Sequence, residues 1–305
     1  IEHLNHADCV PFKGNPAIFR FGDVHLKFMP HAQRIMTWLL GHETLFMKLW
    51  QGLIDECSLH TDRVVLDIGA NFGLYGTWAA TRGCSVLMFE PQPSCVSVIK
   101  GSFCLNTFPK NPPLLIEQPV MKSESESIYV SPDSNCDGTF GAYGSLQKYK
   151  NSGKNVFGAN ALALIGDMDV HVVKIDVEGG ELSVIGHLMP LFKQRRIHTA
   201  IIELTRKFWK ERNIKRESGW NVIVQIIDSG YSARVLECST GGDEGLAGTS
   251  FVTKSEFREF ILTRKWGQCD IVFVLSNKAT VADAHTKIEH LNHADCVPFK
   301  GNPAI

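Results

Sequence analysis

The chain has 305 residues, 44% of them hydrophobic and 21% charged, which is the profile of an ordinary soluble globular protein with a sizeable core. A formal net charge of −1 removes any electrostatic argument for a nucleic-acid or membrane-surface partner. No apolar stretch reaches the roughly 18–20 residues that span a bilayer.

Residues 1–18 recur unchanged at 288–305. A folded domain has one place for such a segment, so one copy is expected to lack a docking site. Two origins fit the repeat: a tandem array of which this chain is one unit, or an overlap of sequence ends. Residues 19–60 are expected to form a helical and hairpin cap. Within it Phe21–Phe28 alternates loosely as a hairpin arm, and His42–Cys57 carries Leu45, Phe46, Leu49, Trp50, Leu53 and Ile54 at helical spacing.

The main domain is expected over 61–276, with a tail at 277–305. Val64-Val65-Leu66 reads as a buried strand, and a helix follows from Gly76 to about Gly83. Ser85–Glu90 is a strand stopped by Pro91, and Ser94–Leu105 a helix. Leu114–Ile116 and Ser127–Val130 read as strands, and 131–160, rich in Ser, Gly, Asn and Asp, as a long loop of functional interest. Strand Val170–Ile175, helix Leu182–Phe192, strand Thr199–Ile202 and helix Trp220–Ile227 follow. Strand Tyr231–Leu236, a glycine-rich loop at 241–248, helix Lys254–Thr263 and strand Asp270–Leu275 complete the order. This alternation predicts a mostly parallel α/β sheet with helices on both faces.

Nine cysteines are present, and Cys9 and Cys296 are copies of one position. With no C-x-x-C pair, they read as scattered free thiols. A reducing, cytoplasmic location is expected on that basis, with no signal-peptide layout in residues 1–18.

The segment Asp67-Ile68-Gly69-Ala70-Asn71-Phe72-Gly73 is the most informative. A strand that stops at a carboxylate, turns on glycines and enters a helix opens a nucleotide-type α/β fold. Its spacing is Gly69-x-x-x-Gly73, not the G-x-G-x-x-G that admits a pyrophosphate. A carboxylate in the turn would repel phosphate and suits a ligand with an ammonium and no phosphate, of which S-adenosylmethionine is the common one. Glu90 ends the second strand, the place from which a carboxylate accepts ribose hydroxyls. Asp176 and Glu203 end two further strands. If the strands are parallel, Asp67, Glu90, Asp176 and Glu203 line one edge, where open α/β sheets bind ligands.

The stretches Val64–Gly73, Phe89-Glu90-Pro91, Leu105-Asn106, Val173–Glu181 (VKIDVEGGE) and Ile201–Leu204 together resemble the FkbM family of S-adenosylmethionine-dependent methyltransferases, across roughly residues 43–276. The resemblance implies a class I methyltransferase, Rossmann-like sheet of seven strands with the last antiparallel. It also implies O-methylation of a hydroxyl on a sugar, glycan or secondary metabolite. Met121-Lys122-Ser123 stands where family members carry an adenine-gripping Asp, so adenine contacts are unassigned.

Cofactor binding is expected at Asp67, Gly69, Ala70, Asn71, Gly73, Glu90, Pro91 and Asp176. The candidate bases are Asp176, Glu178 and Glu203, in that order, since an alcohol is a poor nucleophile. The same acids could hold Mg²⁺, but no metal is expected. His171, at the far end of its strand, is expected to be structural. Two alternatives stand beside this reading: a catalytically silent cofactor-binding domain and an NAD-dependent oxidoreductase, the latter disfavoured by the glycine spacing. The expected partner is a small-molecule or glycan acceptor.

Overall fold

The computed structural model describes residues 14–276, apart from 58, 61, 122, 131–135, 137–153, 240–249, 252 and 265. Most of both copies of the repeat and the 241–248 loop lie outside the described residues. Ala17 and Ile18 of the first copy begin strand β1 (Ala17–Phe21), which forms a two-stranded antiparallel hairpin with β2 (Val24–Phe28). Helix α1 (Gln33–His42), not anticipated, leads into the expected amphipathic α2 (Thr44–Cys57).

The central sheet is built from β3 (Arg63–Ile68), β4 (Ser85–Phe89), β5 (Leu114–Ile116), β8 (Asp169–Ile175), β9 (Ile197–Thr205), β10 (Tyr231–Ser239) and β11 (Gln268–Leu275). Among the described residues its order is β10-β11-β9-β8-β3-β4-β5. All neighbours pair parallel except β11, which runs antiparallel between β9 and β10. The seven-stranded Rossmann-like sheet with an antiparallel last strand is therefore present as expected.

Helices cover both faces because side chains alternate along each strand. On β8, Val173 packs with Val184 and Leu188 of α6 (Glu181–Lys193), Ile223 of α8 (Arg216–Asp228) and Phe257 of α9 (Lys254–Thr263). Its neighbour Val172 faces the opposite layer with Trp50 of α2, Trp78 of α3 (Leu74–Thr81), Ile99 of α4 (Pro93–Phe103) and Phe19 of the hairpin. Each of these large buried side chains contributes about 1.5–3 kcal/mol. Asn106 explains why the hairpin docks: its side chain accepts from Lys27 N at 3.0 Å and donates to Lys27 O at 2.6 Å. His171 is anchored to the cap through a 2.8 Å contact between its Nε2 and Leu53 O. Burial pushes its pKa down to about 4.

Two expectations require correction. The expected loop 131–160 contains strand β7 (Lys154–Phe157), paired antiparallel with β6 (Ser127–Val130), and Asn160 caps the short helix α5 (Ala161–Ile165). Its polar composition concealed a strand with one inward side chain, Val156. The free-thiol reading also fails. Cys57–Cys84, Cys95–Cys136 and Cys238–Cys269 are disulfides with Cα separations of 5.7, 4.6 and 4.1 Å, and Cys104 is disulfide-bonded too. These partners are brought together by the fold, as when Cys238 lands opposite Cys269 across β10 and β11. Spacing along the chain does not reveal them. Among the described residues, no helix is long and apolar enough to cross a membrane.

Candidate active site

The glycine turn is held by backbone contacts at the carboxyl edge of the sheet. Gly69 N and Ala70 N both donate to Phe89 O, at 3.0 and 3.1 Å, and Asp176 N donates to Ile68 O at 3.0 Å. Gly69 has φ +82, and a Cβ there would sit 1.7 Å from Asp176 O, so only glycine lets the turn lie against the end of β8. Asn71 is left-handed at φ 55, and its amide donates to Glu90 Oε2 at 2.8 Å. Glu90 Oε1 accepts from Gln92 N at 2.9 Å. Glu90 thus braces the turn and the start of α4 together, just before Pro91. Burial raises its pKa to about 7 against those two amides.

Asp67 is completely buried. Its Oδ2 accepts from Gly76 N at 2.8 Å, which satisfies an early amide of α3, while Oδ1 has no hydrogen-bond partner among the described residues. Burial raises its pKa, and the nearby Lys174 opposes the shift. Lys174 Nζ lies 2.9 Å from Asp176 Oδ2, 3.4 Å from Gly69 O and 5.5 Å from the ring centre of Tyr75. The Coulombic and hydrogen-bonding pull of Asp176 and Asp67 outweighs desolvation, so Lys174 stays charged with its pKa raised.

The segment after β8 turns sharply. Glu178 is left-handed at φ 51 and Gly179 has φ 98. A Cβ on Gly179 would meet the Phe208 Cβ at 2.5 Å, so this turn is packed beneath α7 (Arg206–Glu211). Buried Glu181 accepts from Gly179 N. Asp176, Glu178 and Glu203 each present a carboxylate oxygen within 4.8 Å of the others, close enough to share one ligand or one metal ion. Glu203 is buried, accepts from Thr205 Oγ1 at 3.1 Å, and has its pKa raised well above the usual range by desolvation and the acids around it. All four strand-end acids therefore share the carboxyl edge.

Three acids at this edge escaped the sequence reading. Asp270 pairs in register with Glu203 on one side and Glu237 on the other. Glu237 caps the first turn of α2 by accepting from Phe46 N at 3.1 Å. Glu43, between α1 and α2, accepts from the Tyr75 hydroxyl. Glu237 directly follows the apolar run to Leu236 and was open to the same strand-end reasoning. Asp270 begins an antiparallel strand, and Glu43 carries no local signal.

The donor set suits a nucleoside ligand bearing hydroxyls and an ammonium. The orphaned Asp67 Oδ1 and the Glu90 carboxylate offer acceptors beside the glycine turn, the complement of hydroxyl and ammonium donors. The Methyltransferase FkbM domain family matches residues 67–232, more than half of the chain. The chain belongs to the FkbM methyltransferase family. S-adenosylmethionine is accordingly its cofactor, and the NAD-dependent alternative falls away. No curated protein matches the chain.

Among solved structures, a S-adenosylmethionine-dependent methyltransferase from Agrobacterium tumefaciens is similar at 12% identity, covering 88% of this chain and 72% of that one, with a TM-score of 0.43. Precorrin-6y C5,15-methyltransferase from Geobacter metallireducens is similar at 13% identity, covering 74% of this chain and 88% of that one, with a TM-score of 0.35. An rRNA methylase from Streptococcus thermophilus shares 8% identity over 74% and 93% of the two chains, with a TM-score of 0.35. These likenesses are too distant to assign an acceptor to this FkbM methyltransferase.

Proposed function

We propose that this FkbM methyltransferase methylates a hydroxyl oxygen on a sugar, glycan or other polyhydroxylated small molecule. The observation that carries the reading is the meeting of Asp176, Glu178 and Glu203 within 4.8 Å, beside the cofactor turn. Carboxylate oxygens accept hydrogen bonds and the Glu203 carboxyl, held protonated by its raised pKa, can also donate one, so the cluster favours an acceptor rich in hydroxyls, which do both. S-adenosylmethionine, when bound, supplies a methyl group on a sulfonium leaving group already activated by its positive charge.

Gly69, Ala70, Asn71 and Gly73 shape the cofactor seat, Glu90 takes the ribose hydroxyls, and the open oxygen of Asp67 takes a donor from the methionine end. Asp176 accepts the proton of the attacking hydroxyl, and Lys174 fixes the carboxylate for that task. Glu178 and Glu203 orient the remaining hydroxyls of the acceptor. Alignment of this kind supplies several kcal/mol of a transfer barrier, roughly 7–11 at the upper end. The disulfides fit an oxidising compartment better than the cytoplasm first expected, and glycans are abundant acceptors there.

The test is transfer of labelled methyl from S-adenosylmethionine to a panel of sugars and glycans, with wild type and Asp176→Asn. We expect a labelled methyl ether with wild type, and an Asp176→Asn variant that binds cofactor within a fewfold of wild type yet loses transfer. Label recovered on nitrogen or carbon would refute the O-methylation reading. Undiminished turnover in Asp176→Asn would remove it as the base.

A further inference from the structure

Glu43 lies outside the matched family region, on the corner between α1 and α2, yet it reaches the carboxyl edge of the sheet. Its carboxylate accepts from the Tyr75 hydroxyl, and the Tyr75 ring lies 5.5 Å from Lys174 Nζ. Lys174 in turn touches both Asp176 and Gly69 O. Glu237 holds the same corner in place through Phe46 N. The cap is thereby tied to the cofactor turn through a chain of polar contacts, with a carboxylate at its outer end.

We propose that Glu43 is a positioning residue whose charge, transmitted past Tyr75 and Lys174, tunes the cofactor seat to distinguish the sulfonium of S-adenosylmethionine from the neutral thioether of S-adenosylhomocysteine. The two ligands share adenine, ribose, ammonium and carboxylate, and they differ by the methyl and one positive charge. Lys174 is a cation at the cofactor turn, 3.4 Å from Gly69 O. Asp176 already offsets part of it; an ionised Glu43 adds to that offset, and a neutral Glu43 removes the addition. Burial lifts the Glu43 pKa to about 7, and the Tyr75 hydrogen bond and Lys174 hold it from rising further. The groups facing Glu43 are His42 on its own corner, Tyr75 on α3, and Lys174 and Asp176 at β8. Glu203 on β9, Glu237 on β10 and Asp270 on β11 face it from across the sheet. This inference rests on the cofactor and not on the acceptor.

Calorimetry with the two ligands tests it without any acceptor. The quantity read is the affinity for S-adenosylmethionine divided by that for S-adenosylhomocysteine. One unit charge acting over roughly 10 Å at an effective dielectric of roughly 20–40 changes this ratio about four- to fifteenfold. At pH 8 the ratio should fall by that factor in Glu43→Gln and be restored in Glu43→Asp. Tyr75→Phe removes the hydrogen bond that keeps Glu43 acidic, so the ratio should fall at pH 7 and recover by pH 9.

In wild type the ratio should decline from pH 8 to pH 6 more steeply than in Glu43→Gln. Glu90 cancels from the ratio because both ligands carry the ribose. An unchanged ratio in Glu43→Gln overturns the proposal, as does an equal loss of both affinities, which is the mark of a purely structural corner. Should the variants fail to fold, a wild-type ratio that is flat between pH 6 and pH 8 overturns it alone.

Discussion

In the proposed reading Glu90 braces the turn and takes the ribose hydroxyls with one carboxylate, and replacing it separates the two tasks. Its oxygens accept from Asn71 N at 2.8 Å and Gln92 N at 2.9 Å. In Glu90→Ala both amides lose their acceptor, at about 1–3 kcal/mol each where water cannot reach them. Glu90→Gln supplies only one acceptor oxygen and turns an NH₂ toward the second amide, so it relieves about half of that loss. The ribose hydroxyls lose a charged acceptor in either variant, worth about 1.5–3 kcal/mol, or about 10- to 150-fold in affinity. Calorimetric titration with S-adenosylmethionine, paired with thermal melting, reads the two tasks independently. We expect Glu90→Gln to melt closer to wild type than Glu90→Ala while both bind cofactor more weakly by that factor. A second check uses pH. Ribose hydroxyls donate to the ionised form, and the Glu90 pKa stands at about 7, so cofactor affinity should fall as pH drops below 7. Cofactor affinity within twofold of wild type in Glu90→Gln would refute the ribose assignment and leave Glu90 as a turn brace alone.

Both sulfurs of the Cys95–Cys136 disulfide lie near Asn71 Oδ1, at 3.7 and 3.1 Å. Cys95→Ser with Cys136→Ser should therefore weaken S-adenosylmethionine binding about fivefold by loosening the turn, a loss of about 1 kcal/mol of pre-organisation. Equal calorimetric affinities before and after the exchange would show that the tether does not brace the turn. Lys174→Met leaves Asp67 and Asp176 without their cation. Removing one partner of a buried pair costs about 3–5 kcal/mol, and the value here should fall below that because the Asp176 side chain is 28% exposed. Differential scanning calorimetry checks this, and an unchanged melting temperature would show that Lys174 is not stabilising its neighbours.

Stability should also depend on pH with an unusual sign. Glu43, Glu90, Glu181 and Glu237 each have a pKa raised from 4.5 to about 7, so the folded protein binds protons there that the unfolded chain has released. Stability is therefore lost as pH rises from about 4.5 to about 7. His171, lowered from 6.5 to about 4, works in the opposite direction, as do His187 and His198, and the four glutamates outweigh it. Melting temperatures should fall between pH 5 and pH 7.5, and a rise across that range would contradict the raised pKa of these acids.

The sheet was legible because its strands are buried on both faces and read as apolar runs, such as Val64-Val65-Leu66 and Val172-Val173. Apart from helix α1, what escaped was short or polar. Strand β7 buries little besides Val156, and α7 (Arg206–Glu211) is a six-residue helix held by tertiary packing, so neither leaves a periodic trace. The disulfides were invisible for a different reason. Thiol pairing is set by which elements become neighbours, and partners that lie 27, 41 and 31 residues apart share no motif.

At the site, the strand-end rule found the acids of parallel strands and missed those governed by direction or by the cap. Asp67, Glu90, Asp176 and Glu203 follow apolar runs on strands that all point the same way. Because β11 runs against its neighbours, its amino end, not its carboxyl end, reaches the ligand edge, and Asp270 enters the row from the start of its strand. Counting a chemically meaningful acid therefore requires strand direction as well as strand position. Glu43 needs still more, because only the packing of the α1–α2 corner against α3 brings it to Tyr75. The residues of the central turn lie within the matched family region. Those contributed from β10, β11 and the cap add titratable acids around it that the sequence motifs do not encode.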